Sequence, residues 1–320
     1  MAVHTKLSRN DILEILKKYN LGNLEKFSGI KEGIENTNYF IITSKNKFVL
    51  TIYENRVNKS KLPMFLKLMI HSSAQKIKCP NPIKDKNKGL INITKSKKFG
   101  IFSFLDGKSK KNWVDFDCLL VGNDLANFHK KNMKIKLDID NSYGVSSWEK
   151  LFNKCKFKIE KIIPNSLNLI SKEIEYLNKE WPNDLPTGLI HGDLFPDNVL
   201  FLNNKISGIL DFYFSCNEIL VYDLAITLNA WGFRNGKFKK ELFFKLLHGY
   251  QTVRKLRKCE KQKLNILLRG ASMRFLLTRI YDMIYVDANK FLNKKNPLEF
   301  FKILNFHKET NNSSDYFRGI

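Results

Sequence analysis

His191-Gly192-Asp193-Leu194-Phe195-Pro196-Asp197-Asn198, followed by Ile209-Leu210-Asp211-Phe212, is the part of the chain from which the rest can be read. Apolar Leu189-Ile190 lead into it. Val199-Leu200-Phe201-Leu202 then reads as a strand, Asn203-Asn204 as a turn, and residues 206–210 as the returning strand. The segment thus presents an acid, an amide and a second acid: Asp193, Asn198 and Asp211. An isolated Asp in a loop is ordinarily a turn or capping residue. The spacing Asp-x-x-x-x-Asn, then a second Asp beyond a hairpin, is a far more specific pattern when apolar strands enclose it.

That pattern suits phosphoryl transfer. Asp193 has the best claim to orient an acceptor hydroxyl and take its proton. Asn198 and Asp211 offer hard oxygen ligands for Mg2+ on the phosphates of ATP. Pro196 stiffens the loop by fixing its backbone angle. His191 has two readings, a catalytic imidazole or a brace for the loop, and bracing is the commoner use of a histidine so placed.

The 320 residues exceed what one compact core usually holds and suit two lobes. Hydrophobic content of 43% and aromatic content of 12% suffice for a folded globular protein. No apolar run of about 18 residues occurs, so no membrane span is expected. Met1-Ala2-Val3-His4-Thr5-Lys6 lacks the apolar core of a signal peptide, which points to the cytoplasm. The five cysteines are scattered and form no C-x-x-C pair, as expected of reduced thiols rather than a disulfide or zinc framework. The net charge of +24 raises nucleic-acid or membrane binding as a possibility. The lysines are dispersed among Asn, Ile and Phe, however, and the pattern favours compositional drift. The expected partners are small molecules, with no nucleic acid and no membrane, for a monomer or homodimer.

Residues 8–19 have helical spacing, with Ser8 as N-cap and Asp11 completing the cap. Strand patterns follow at 27–30, 37–43, 47–53, 90–94 and 99–105, interrupted by a helix over 62–77 that Cys79-Pro80-Asn81-Pro82 ends. Residues 106–111 are polar and glycine-bearing, like a hinge. Helices are then expected at 115–132, 147–162, 166–180, 219–231, 238–256, 259–287 and 297–307. The expected class is α+β. Residues 1–105 form a small antiparallel sheet lobe with a helix, for the nucleotide. Residues 106–320 form a larger, mainly helical lobe with the catalytic loop and acceptor site.

His191-Gly192-Asp193 to Asn198, with Ile209-Leu210-Asp211-Phe212, resembles the aminoglycoside phosphotransferase and choline kinase superfamily, relatives of the protein kinases. Five stretches resemble bacterial homoserine kinases of this fold more narrowly. They are Met1-Ala2-Val3, Gly29-Ile30-Lys31-Glu32-Gly33-Ile34-Glu35-Asn36-Thr37-Asn38-Tyr39-Phe40, Leu50-Thr51-Ile52-Tyr53-Glu54, Gly192 through Phe201, and Arg274-Phe275-Leu276-Leu277-Thr278-Arg279. The resemblance implies a two-lobed, protein-kinase-like fold. It also implies ATP-dependent phosphorylation of the L-homoserine hydroxyl, a step toward threonine. By the same match Asp193 is the base, and Asn198 and Asp211 are the magnesium ligands.

On the nucleotide side, Gly33 permits close backbone approach, and Asn36 and Asn38 can donate to phosphate oxygens, although an ordinary polar turn fits equally well. Phe104 falls where kinase-like chains meet adenine. Such folds usually pair a lysine on the third strand with a glutamate on the next helix. Here Thr51 occupies the strand position, and the 62–77 helix has no acid. Lys47, Arg56 or Lys59 then serves the phosphates, or backbone and magnesium suffice. On the acceptor side, Arg274, Thr278 and Asp282 share one helix face, with Arg279 beside them. Arg274 or Arg279 would hold the homoserine carboxylate. Asp282, or an acid beside the loop, would hold the ammonium. An exposed ladder of i, i+4 side chains fits the same spacing. Asp223 reads as a cap or brace of the loop. The alternatives are a kinase of choline, an amino sugar or another small alcohol; a basic nucleic-acid binder; or a pseudokinase.

Overall fold

Ser8 and Asp11 close the reciprocal cap that their spacing predicts. The Ser8 N–H donates to Asp11 Oδ2 at 2.7 Å, and the Asp11 N–H donates to Ser8 Oγ at 3.2 Å. Helix α1 (Arg9–Lys17) starts there. The computed structural model describes residues 4–30, 36–54, 58–286, 295–310 and 313–317. Two compact units are present. One comprises Met1–Lys108 with Ser207–Tyr213, the other Ser109–Ile206 with Phe214–Ile320.

The first unit is built on five strands: β1 (Leu24–Ile30), β2 (Thr37–Thr43), β3 (Lys47–Ile52), β4 (Asn92–Thr94) and β5 (Lys97–Ser103). Their order is β1-β2-β3-β5-β4, and every pairing is antiparallel. Tyr39 and Ile41 of β2, Leu50 and Ile52 of β3, and Phe99 and Ile101 of β5 bury one face of the sheet. Ile12, Ile15 and Leu16 of α1 complete this core. Each such side chain contributes about 1.5–3 kcal/mol relative to exposure. Helix α2 (Leu62–Ala74) has Pro63 at its start, where the missing N–H costs nothing. The segment Ser207–Tyr213 joins this unit through main chain and rings. The Ile209 N–H donates to Lys78 O at 2.8 Å, and the Tyr213 ring meets Tyr53 at 5.6 Å and Phe65 at 5.9 Å.

The second unit is mainly helical: α3 (Asp115–Asn132), α4 (Val145–Ile162), α5 (Leu167–Glu180), α6 (Leu220–Trp231), α7 (Lys240–Val253), α8 (Lys258–Tyr285) and α9 (Pro297–Glu309). Short strands lie between α5 and α6: β6 (Thr187–Ile190), β7 (Val199–Leu202), β8 (Lys205–Ile209) and β9 (Cys216–Ile219). Strands β7 and β8 form a hairpin turned by Asn203 and Asn204, whose φ angles are +50° and +57°. Strand β6 pairs antiparallel with β9 in the register Ile190↔Cys216. The sequence gives no sign of β9, nor of the two-residue strands β10 (Phe233–Arg234) and β11 (Lys237–Phe238).

Helices α3 and α7 meet backbone to backbone. A Cβ at Gly122 would stand 2.1 Å from Leu246 O, and one at Gly249 would stand 2.1 Å from Leu119 O. Helix α8 packs against α4, α5, α6 and α9. Helix α6 lies in the interior along almost its whole length, which brings Tyr222 and Asp223 inside the unit.

Candidate active site

The β6 strand delivers the chain into the His191–Asn198 loop, and buried Asp223 on α6 takes hold of it. Asp223 Oδ2 accepts the His191 N–H at 2.7 Å, and Oδ1 accepts the Gly192 N–H at 2.8 Å. His129 of α3 places Nε2 3.0 Å from Oδ2 and Nδ1 2.8 Å from the Tyr250 hydroxyl. Burial would push the Asp223 carboxyl up. The His129 bond, the nearby imidazoles and the Gly192 N–H outweigh it and hold the group below its ordinary value. Asp223 is therefore an anion pinned under the loop.

Gly192 adopts φ +77°, and a Cβ there would stand 2.6 Å from Phe214 O, so only glycine fits the turn. His191 is itself buried. Its Nδ1 accepts the Asp193 N–H at 3.3 Å, which leaves Nε2 as the protonated nitrogen of the neutral ring. The Asn198 amide donates both to Asp193 O at 2.8 Å and to Asp193 Oδ2 at 3.0 Å. Those two bonds use the amide protons. The amide oxygen is then the atom of Asn198 suited to a cation. Pro196–Asn198 form a single 3-10 turn closed by Asn198 N to Phe195 O at 2.9 Å. Trp231 is fully buried, and its Nε1 donates to Leu194 O at 2.9 Å. Phe195 packs on Phe275 at 4.8 Å. The loop is thus held on both sides of Asp193.

Asp211 follows β8 and belongs to the first unit. It adopts φ +60°, a conformation a non-glycine residue takes at some cost and one that clusters at functional sites. The Asp211 carboxylate and the Asn198 amide oxygen are each, by chemistry, the kind of hard oxygen donor that divalent cations take.

On the nucleotide side, the Asn36 Oδ1 accepts the Glu54 N–H at 3.3 Å, and the Asn38 Oδ1 accepts the Thr51 hydroxyl at 2.8 Å. Both amides spend their oxygen on the protein and keep the NH2 for an acceptor. Gly33 and Arg56 lie outside the described residues. Phe104 is half-buried, with its ring 4.8 Å from that of Phe40. Lys47 pairs with Asp106 at 3.4 Å, both exposed. Thr51 stands where a lysine was expected. The first unit nevertheless contains a lysine–glutamate pair, between Lys97 of β5 and buried Glu54. Glu54 also accepts the hydroxyls of Thr5 and Thr37, each at 2.7 Å. Burial alone would raise its carboxyl, but Lys97 and these hydroxyls hold it below the ordinary value.

The acceptor candidates on α8 separate. Arg279 donates to Glu299 Oε2 at 2.6 Å and to Asn296 O at 3.0 Å, with its guanidinium 4.4 Å from the Phe300 ring; these contacts tie α8 to α9. Asp282 is half-buried near the end of α8. Arg274 is buried, and its Nη1 stands 3.7 Å from where a Gly192 Cβ would lie. The structure therefore brings Arg274, His191, Asp193, Asn198 and Asp223 together in one unit.

Sequence reasoning missed His129, Tyr222 and the Glu54–Lys97 pair. For His129 a signal existed: it continues the buried Val121, Leu125, Phe128 stripe of α3 rather than the lysine run after it.

A model of the phosphotransferase enzyme family matches residues 26–256. The homoserine kinase of Chelativorans sp. (strain BNC1) is 38% identical over 322 residues, covering 99% of this chain and 98% of that protein. Among solved structures, an amicoumacin kinase superposes with a TM-score of 0.70 at 13% identity, covering 98% of this chain and 97% of the other. A choline kinase from Cryptosporidium parvum Iowa II does so with a TM-score of 0.64 at 16% identity, covering 97% and 95%. These likenesses bear out the α+β, protein-kinase-like fold. No helix among the described residues is long and apolar enough to cross a membrane. The chain belongs to the phosphotransferase enzyme family, in the branch that holds the homoserine kinases.

Proposed function

We propose that the chain transfers the γ-phosphoryl group of ATP to the side-chain hydroxyl of L-homoserine, giving ADP and O-phospho-L-homoserine on the route to threonine. The observation that carries this reading is the end-to-end match to a homoserine kinase at 38% identity. The loop chemistry agrees with it. Asp193 is the group that orients the hydroxyl and receives its proton, and Asn198 fixes that carboxylate by its 3.0 Å bond to Oδ2. Asp223 and His191 keep the loop in shape. Asn198 and Asp211 are the residues that would hold magnesium, which would supply positive charge to the phosphoryl oxygens. Asn36 and Asn38 turn their NH2 groups to phosphate, and Phe104 offers apolar surface to the base. The reaction belongs in the cytoplasm, where ATP is abundant.

An ADP-release assay over a panel of hydroxyl acceptors tests the reading. Homoserine turns over well, and choline and amino sugars turn over poorly. Turnover with choline and none with homoserine would sink it. Asp193→Asn lowers kcat by about 10²–10⁴-fold while homoserine still binds. Full activity in that variant removes Asp193 from the role of base.

A further inference from the structure

Three largely buried arginines of the second unit each face a carboxylate: Arg254 with Glu260 at 2.7 Å, Arg269 with Glu173 at 2.6 Å and Arg279 with Glu299 at 2.6 Å. Arg274 departs from that rule. It is 3% exposed, and among the described residues its Nη1 has no hydrogen-bond partner. Its guanidinium carbon lies 4.8 Å from the Phe275 ring centroid, 5.4 Å from that of Tyr143 and 5.9 Å from that of Phe214. Aromatic faces return only part of the cost of taking such a charge out of water. A second donor stands beside it. Tyr222 on α6 is fully buried against the Arg274 guanidinium, and its hydroxyl has no acceptor for its own proton among the described residues. Burial pushes that phenol's pKa up, so it stays protonated and can donate.

Two unsatisfied buried donors at one place are unusual in a native interior. They call for an anion, and a forked guanidinium with a hydroxyl beside it matches the two oxygens of a carboxylate. The place is next to the catalytic loop. Arg274 Nη1 is 3.7 Å from where a Gly192 Cβ would stand, and Asp193 follows Gly192. An extended four-carbon hydroxy acid spans roughly 5 Å from carboxyl carbon to hydroxyl oxygen. That reach is little more than one residue of chain.

We propose that Arg274 and Tyr222 together bind the α-carboxylate of the acceptor, and that this pair makes the enzyme select hydroxy amino acids over amino alcohols. The proposal rests on the reading of the chain as a homoserine kinase, and it adds the atoms that read the acceptor. The test compares L-homoserine with 3-amino-1-propanol, the same alcohol without its carboxylate, and with L-serine and L-threonine. Wild type, Arg274→Gln and Tyr222→Phe are assayed for kcat and KM, with homoserine binding followed by calorimetry and folding by thermal melting. Wild type prefers homoserine strongly over 3-amino-1-propanol. Arg274→Gln raises the KM and Kd for homoserine by about 10–100-fold and Tyr222→Phe by about 5–10-fold, with the KM for ATP unchanged. Turnover of 3-amino-1-propanol falls much less than that of homoserine in both variants, so the preference collapses. Homoserine constants within twofold of wild type in folded Tyr222→Phe and Arg274→Gln would overturn the proposal. Should wild type ignore homoserine but phosphorylate serine or threonine in an Arg274-dependent way, the homoserine reading fails and the carboxylate site stands. Should it act only on acceptors without a carboxylate, both fail.

Discussion

Replacing Asp223 with asparagine tests whether the catalytic loop is held from below by one buried carboxylate. In the structure its two oxygens serve three donors: His191 N–H at 2.7 Å, Gly192 N–H at 2.8 Å and His129 Nε2 at 3.0 Å. Asparagine has one oxygen to offer. Its best orientation keeps that oxygen toward His191 and His129 and turns the NH2 against the Gly192 N–H. One buried amide then loses its acceptor, a cost of about 1–3 kcal/mol, and the remaining bonds lose their charge assistance. A total near 3–4 kcal/mol follows, which lowers Tm by roughly 6–16 °C for a cooperative unit of this size.

The effect on rate comes from position. Gly192 sits at φ +77° directly before Asp193, so relaxation of that amide moves the base. A displacement on the order of 1 Å costs about 10²-fold in kcat. The assay is steady-state kinetics at a temperature where the variant remains folded, alongside thermal melting. A control is Thr227→Val, which removes only a hydroxyl bonded to Asp223 O at 2.9 Å on the far side of the residue. It should cost about 1 kcal/mol of stability and leave kcat alone. Wild-type kcat in Asp223→Asn, with or without a lower Tm, would refute the idea that this carboxylate shapes the loop.

Gly192→Ala forces a Cβ to within 2.6 Å of Phe214 O at a left-handed φ. We expect a loss of at least about 2 kcal/mol and a tenfold or greater fall in kcat, read by melting and turnover; unchanged kcat would mean the loop tolerates a different path. His307 is buried between Tyr316 and Asn229, and burial, with Arg269 nearby, pushes its pKa from 6.5 to about 3. The folded protein keeps this ring neutral while the unfolded chain protonates it below 6.5. Stability from His307 is therefore complete above 6.5 and is lost at about 1.4 kcal/mol per unit as pH falls toward 3. Urea titrations from pH 7 to 4.5 should show that slope in wild type and a flatter one in His307→Gln. Glu54→Gln loosens Lys97, Thr5 and Thr37 together and should raise the KM for ATP about 3–10-fold while sparing the KM for homoserine.

The long helices were legible because their apolar spacing is long. Residues 115–132 were expected as a helix, and α3 is Asp115–Asn132. The loop was legible because acid, amide and acid stand in order along the chain. Strands β9, β10 and β11 were not, since segments of two to four residues carry no period to detect. The α6 residues show a different limit. Asp223 was read as a brace from its position, yet the neighbouring Tyr222 looks in sequence like any core aromatic. Only the packing of α6 against α8 reveals that its hydroxyl stands beside Arg274 without an acceptor. The same holds for choosing between Arg274 and Arg279. Their helical spacing cannot tell them apart, and Glu299 on a later helix does.

At Thr51 of β3, where kinase-like folds usually carry a lysine, position along the chain does not find the lysine–glutamate pair that the first unit contains. A kinase-like sheet needs its phosphate-facing backbone held firm, and a buried lysine–glutamate pair is one way to do it. In this chain the glutamate comes just after β3, at Glu54, and the lysine comes from β5, at Lys97. The pair joins neighbouring strands instead of a strand and a helix, so the 62–77 helix can lack acids altogether. Glu54 then ties three parts of the first unit: Thr5 near the start of the chain, Thr37 at the head of β2, and Asn36, which accepts its N–H. These contacts fix the Glu54 main chain to which the Asn36 amide oxygen is bonded. Thr51 in turn holds Asn38 through its hydroxyl. Two asparagine amides are thereby anchored by their oxygens on the first unit. Against the pseudokinase alternative stands the end-to-end match to a homoserine kinase.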